Sequence, residues 1–210
     1  MQISGNTILI TGGGSGIGAG LAQALHEKGN RVIIVGRRRD ALESVAAAHP
    51  GMATATLDVS DADAIVSGVE RILADHSDLN VVIHNAGIMV AEDLTTDPYD
   101  ISISEATIAT NLLGPIRLTA ALLPHLKRQP RASIVTVSSG LAFVPLAATP
   151  TYDATKAAIH SWSQAIRAQL AGTMIDVMEI VPPAVATDLM PGHAENPNSM
   201  PLDAYIAEVM

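Results

Sequence analysis

Tyr152 and Lys156 stand four residues apart in the stretch TYDATKAAIHSW, residues 151–162, of a chain that holds only three tyrosines. On an α-helix that spacing puts both side chains on one face. A phenol sharing a small volume with an ammonium is an acid/base pair. A free tyrosine titrates near pH 10, and about 4 kcal/mol of extra preference for the phenolate brings it toward neutrality. A cation about 4 Å away supplies roughly that much at an effective dielectric of about 20.

A second chemical stretch is TGGGSGIG, residues 11–18, in which Gly12, Gly16 and Gly18 open a helix directly after a strand. Glycines there allow a tight turn, close approach of a pyrophosphate to the backbone, and helix-on-strand packing. The free N–H groups and the helix dipole favour the anion. A third is GRRRD, residues 36–40, which groups Arg37, Arg38 and Arg39 in a chain with only 12 Lys and Arg. They follow the second strand, where dinucleotide folds carry a carboxylate for the adenosine ribose 2′-hydroxyl. A guanidinium suits a 2′-phosphate, so the expected cofactor is NADP (NADPH), with NAD the less favoured. A solvated basic helix start is the alternative for Arg37, and for Arg39 it is the better reading.

The elements that must position these groups follow from periodicity. Short β-branched runs at 7–11, 31–36, 53–58, 80–84, 132–138 and 175–181 alternate with amphipathic stretches near 16–29, 39–48, 61–76, 104–128 and 152–171. Several strands are apolar on both faces, as parallel strands covered by helices must be. The expected fold is α/β: a doubly wound, Rossmann-like parallel sheet of about six strands with helices on both faces. Ser60 or Asp61 supplies an N-cap, and Gly29 and Gly172 end their helices. Residues 1–210 read as one domain, without repeat or linker.

Composition narrows the functions. A net charge of −9 argues against a nucleic-acid surface. With no cysteine, and seven histidines lacking HxxxH or HxH spacing, no metal centre is expected. The apolar stretches and the N-terminus predict no membrane span and no signal peptide, and a cytoplasmic protein.

With HNAG (84–87), Asn111, VSS (137–139) and YDATK (152–156) added to the glycine turn, the chain resembles the short-chain dehydrogenase/reductase family in its compact form, from about residue 7 to residue 190. The resemblance implies Ser139, Tyr152, Lys156 and Asn111 as catalytic residues. It implies cofactor contacts at Gly12, Ser15, Gly16, Ile17 and Gly18 in the turn, at Arg37 and Arg38, and at Asp58 and Val59 beside the adenine. Asn85, Ala86 and Gly87 would lie along the cofactor, Val185 and Thr187 at the nicotinamide carboxamide, and Tyr152 and Lys156 at its ribose. The implied reaction is hydride transfer between NADP(H) and a small or medium hydrophobic ketone or aldehyde, or the reverse, with Tyr152 exchanging the proton. The rival reading is a non-catalytic NADPH-binding regulator. A homodimer through helices 104–128 and 152–171 is implied as well.

Three features depart from the family. His84 replaces an asparagine, Pro183 follows Pro182 where a glycine is usual, and the chain ends at DAYIAEVM, where a seventh strand is expected and apparently missing. Residues 140–150 and 188–205 are expected to line the substrate pocket, the second as a loop; Ala154, Ala157, Ala158 and Ile159 are expected to pack.

Overall fold

A computed structural model of the chain describes residues 1–192 and 194–210. Its strands are β1 (Thr7–Thr11), β2 (Arg31–Gly36), β3 (Ala53–Thr56), β4 (Val81–His84), β5 (Ala132–Val137) and β6 (Ile175–Ile180). They form one parallel sheet in the order β3-β2-β1-β4-β5-β6. The chain winds outward from β1 to β3, then returns to pair β4 on the other side of β1. Beyond the carboxyl ends of β1 and β4 this reversal leaves a crevice, the place where open α/β sheets bind ligands.

Alternation along the strands splits the core in two. Leu9, Val82 and Ile134 pack with Val69, Leu118 and Leu122 on one face. Ile8, Ile10 and Ile83 pack with Leu21, Leu25 and Leu42 on the other. Each fully buried aliphatic side chain contributes about 1.5–3 kcal/mol. The helices bearing these residues are α1 (Gly16–Glu27), α2 (Arg39–Ala47), α3 (Ala62–Asp75) and α5 (Gly114–Leu126). Asp61 rather than Ser60 caps α3, its carboxylate accepting from the Asp63 and Ala64 amides. Gly29 and Gly172 follow their helices at φ of +82° and +83°, left-handed backbone that favours glycine.

Two expectations need correction. Helix 104–128 is not uniform: α4 (Ser102–Ile108) leads into a π-helical turn, Ala109–Leu113, before α5 begins. By length and composition the run Ser102–Leu126 is apolar enough to cross a membrane. Here Leu118, Leu122 and Leu126 are wholly buried in the core. The second correction concerns 188–205, which is not all loop. After α6 (Pro150–Gln169) and β6, the chain folds back through hydrogen bonds from the Ala186 amide to the Met200 carbonyl (2.9 Å) and from the Met200 amide to the Ala184 carbonyl (2.8 Å). It then forms α7 (Leu202–Val209), which lies so close to α1 that a Cβ on Gly20 would meet Ile206 at 2.8 Å. His193, within that segment, lies outside the described residues.

Candidate active site

Ser139 follows the carboxyl end of β5 and caps a single 3₁₀ turn, Gly140–Ala142; its Oγ accepts from the Leu141 amide at 3.1 Å. Tyr152 lies in the opening turn of α6, 5% exposed, with its hydroxyl hydrogen-bonded to Ser139. Lys156, one turn later, is equally buried, and its Nζ donates to the Val137 carbonyl at 2.8 Å. Asn111 belongs to the π turn. Its Oδ1 accepts from the Ile88 amide, and its Nδ2 donates to the Ile88 carbonyl, both at 2.9 Å, and to Thr155 Oγ1 at 3.3 Å. Gly87 closes the group: a Cβ there would come within 3.3 Å of Asn111 Oδ1 and 3.8 Å of Lys156 Nζ. The four residues expected to act together thus gather at the carboxyl end of the sheet.

The electrostatics differ from the expectation that Lys156 draws the phenol toward neutrality. Burial pushes Tyr152 up to about 12; the Ser139 hydrogen bond opposes this, and Asp153 adds to it. Burial also brings Lys156 down to about 8. Its Nζ lies 5.5 Å from the centre of the tyrosine ring and is engaged by a backbone carbonyl, so desolvation dominates both groups.

The glycine turn matches an anion cradle. Gly12 and Gly16 have φ of +69° and +52°. A Cβ on Gly18 would lie 2.3 Å from the Gly12 carbonyl oxygen and 2.4 Å from Asn85 Nδ2, so nothing larger fits. Ser15, at the N-cap of α1, makes no side-chain cap bond; its Oγ accepts from Arg38 Nη2 at 3.2 Å. The first amides of α1 therefore remain without a side-chain cap, next to a guanidinium, as a phosphate site needs. Ile17 packs against the core from this turn. Arg37 is exposed beside Arg38, and Arg39 pairs with Glu43, as a solvated helix start would.

The remaining expected contacts lie around the same crevice. Asn85 Nδ2 donates to the Thr11 carbonyl, and the Asn85 and Ala86 amides both donate to Thr11 Oγ1, each at 3.0 Å, tying the end of β4 to β1. Asp58 holds the Ser60 amide and hydroxyl, and Val59 is buried beside Gly114. Val185 is buried, and Thr187 comes within 3.4 Å of a Cβ placed on Gly16, so the segment that leaves β6 passes beside the glycine turn. His84 Nε2 pairs with Thr119 Oγ1 at 2.8 Å, and burial lowers its ring to about 3. Pro182 supplies the carbonyl that accepts from the Gly140 amide at 2.9 Å, while Pro183 is exposed. Ile159 packs as expected, whereas Ala154 and Ala157 are exposed.

Sequence reasoning passed over Glu92. Burial pushes its carboxyl up, but hydrogen bonds from Ser104, Tyr99 and both the hydroxyl and amide of Thr151 outweigh that and bring it down to about 2. It fastens the segment after β4 to the start of α6. Beside it a groove of about 390 Å³ runs between Leu94, Ile108, Leu112 and Ala154. A larger depression, about 610 Å³, opens at the amino ends of the strands around Arg31, Asp78 and Arg131, away from Ser139, Tyr152 and Lys156.

Comparison with known proteins accords with this geometry. A family model described as short chain dehydrogenase matches residues 6–198. An uncharacterized oxidoreductase of Bacillus subtilis (strain 168), DltE, is 43% identical over 189 residues, covering 90% of this chain and 75% of that protein. A 3-ketoacyl-(acyl-carrier-protein) reductase from Brucella melitensis, complexed with NADH, superposes with a TM-score of 0.90 at 25% identity, over 99% of this chain and 90% of that one. A serine dehydrogenase complexed with NADP+ gives a TM-score of 0.86 at 25% identity, over 97% and 87%.

Proposed function

The chain belongs to the short-chain dehydrogenase/reductase family of NAD(P)-dependent oxidoreductases, and from that premise we propose that it uses NADP(H) to reduce a small or medium hydrophobic ketone or aldehyde, or to run the reverse oxidation. The observation that carries this is the Ser139–Tyr152 hydroxyl pair beside Lys156, at the carboxyl end of the sheet next to an uncapped glycine turn. When bound, the cofactor would supply the hydride that reaches the carbonyl carbon. Tyr152 gives its proton to the carbonyl oxygen, and the Ser139 hydroxyl donates a hydrogen bond to the same oxygen as negative charge grows there. The Leu141 amide already donates to Ser139 Oγ, so the Ser139 proton, directed at the Tyr152 oxygen without substrate, would turn to the carbonyl oxygen when one binds. Lys156 would hold the ribose hydroxyls, and Asn111 steadies the segment at Ile88 that borders the same space.

Gly12, Ser15, Gly16, Ile17 and Gly18 would hold the pyrophosphate, and Arg38 with Arg37 the 2′-phosphate. The Arg38–Ser15 contact supports NADP over NAD, because it sets a planar donor fork beside the turn. The apolar, partly exposed side chains of Leu141, Phe143 and Val144 suit a hydrophobic carbonyl. A cytoplasmic homodimer through α4–α5 and α6 completes the proposal; exposed Ile108 and the apolar groove beside it support that surface. No observation favours a non-catalytic regulator, which has no need of a buried Ser–Tyr–Lys group.

The test is NADPH consumption against a carbonyl panel. Tyr152→Phe should lower turnover about 10²–10⁴-fold while NADPH binding persists. NADPH binding without reduction of any carbonyl would favour the regulator. Equal thermal protection by NADH and NADPH, unchanged in Arg38→Ala, would remove the NADP preference.

A further inference from the structure

The segment between Ser139 and Tyr152 joins the two hydroxyls, so it borders the space in which they meet a substrate. Three alanines, a glycine and several exposed apolar side chains give that segment little core of its own. It is held from outside, by a second stripe of α6 that neither the catalytic pair nor the core uses.

Asp153 and His160 lie seven residues apart on α6, two helical turns, and so on one stripe adjacent to that of Tyr152 and Lys156. Asp153 is 4% exposed. Its carboxylate accepts from the Leu146 amide at 2.7 Å and from Thr149 Oγ1 at 3.2 Å. This placement works against proton transfer, since burial raises the acid itself and its charge raises the neighbouring phenol. What the carboxylate provides in exchange is a hold on the loop. At the other end, the His160 ring stacks edge-on against Phe143 with centroids 4.6 Å apart. A carboxylate only accepts, so His160 Nδ1 donates to Glu179, at 2.9 and 3.1 Å from its two oxygens, and the ring is fixed to β6. The backbone adds a third point, the Glu92 amide donating to the Ala148 carbonyl at 2.9 Å.

We propose that Asp153 and His160 are positioning residues that hold the 140–149 segment as the outer wall of the carbonyl site and thereby set which carbonyls fit. The selectivity half of this rests on the oxidoreductase function proposed above; the hold on the segment does not. Asp153 grips the end near Tyr152 and His160 the end bearing Phe143, so loss of either frees a different part of the wall.

Two readouts separate these halves. Hydrogen exchange on the full chain reads the hold: Asp153→Ala should speed exchange of the Leu146 amide about tenfold, and His160→Ala that of the amides near Phe143, with the sheet unchanged. Asp153→Asn, which keeps an acceptor of the same shape, should restore most of the protection. Steady-state reduction of propanal and benzaldehyde with NADPH reads selectivity. In Asp153→Ala and His160→Ala the ratio of their kcat/KM values should move about fivefold or more, chiefly through KM, with the Kd for NADPH unchanged. Unaltered exchange in both alanine variants overturns the hold, and faster exchange with an unaltered ratio overturns the selectivity role. If the wild type reduces neither aldehyde, nor any member of the wider carbonyl panel, the oxidoreductase function fails and the selectivity role with it, while the exchange data still decide the hold. Global loss of protection in Asp153→Ala that Asp153→Asn does not restore would make the acid a folding element and overturn its assignment here.

Discussion

Two buried bases carry the clearest pH signatures. Lys156 titrates near 8 in the folded chain against an ordinary 10.5, so between those values the unfolded chain holds more protons and stability rises with pH. Relative to Lys156→Met, the wild type should therefore gain on the order of 3 kcal/mol from pH 8 to pH 10.5, with the difference flat below pH 8. Urea melts of both proteins across that range would show it, and parallel curves would mean that the amine is not desolvated. His84 follows the same sign at lower pH. Its folded value of about 3 against an ordinary 6.5 means stability falls as acid is added below 6.5, by about 2 kcal/mol at pH 5. His84→Asn should remove that acid sensitivity, read as a melting temperature that varies less between pH 7 and pH 5.

At the scale of elements, the glycine turn is the least forgiving. Gly18→Ala would drive a methyl into the Gly12 carbonyl and the Asn85 amide, a backbone clash that should cost about 3 kcal/mol and weaken NADPH binding, both measurable by thermal shift with and without cofactor. That turn, the six strands and the pairing of Tyr152 with Lys156 were legible in the sequence because each leaves a local pattern: glycines at fixed steps, β-branched runs, and tyrosine and lysine one turn apart; Ser139 and Asn111 were marked only by the family resemblance. The π turn was not, because TIATNLLGP stays apolar and helical whichever pitch it adopts. The helix α7 follows a stretch rich in proline and asparagine that reads as loop. Yet Leu202, Tyr205, Ile206 and Val209 fall at i, i+3, i+4 and i+7, a helical signal that begins within the expected loop. Grips such as Asp153 on Leu146 leave no spacing to find, and burial, which governs both the phenol and the lysine, is not reported by sequence.

For the molecule as a whole, the predicted subunit surface follows from what the fold leaves uncovered. Ile108 is 39% exposed, and Leu94, which lines the same groove beside α6, is more so. Ile108→Arg should shift sedimentation from dimer to monomer without lowering the melting temperature of the isolated subunit; a chain already monomeric at micromolar concentration would count against the assembly. The five residues Ala109–Leu113 link this exterior to the interior around Asn111. One surplus residue in the winding sets the azimuth of α4 against that of α5, so the amide of Asn111 and the outward flank at Ile108 share a single phase. Deleting one residue there would restore ordinary pitch but swing everything ahead of it by about 100°. The proposed subunit surface is thus tethered to the proposed chemistry: neither can be re-aimed without turning the other.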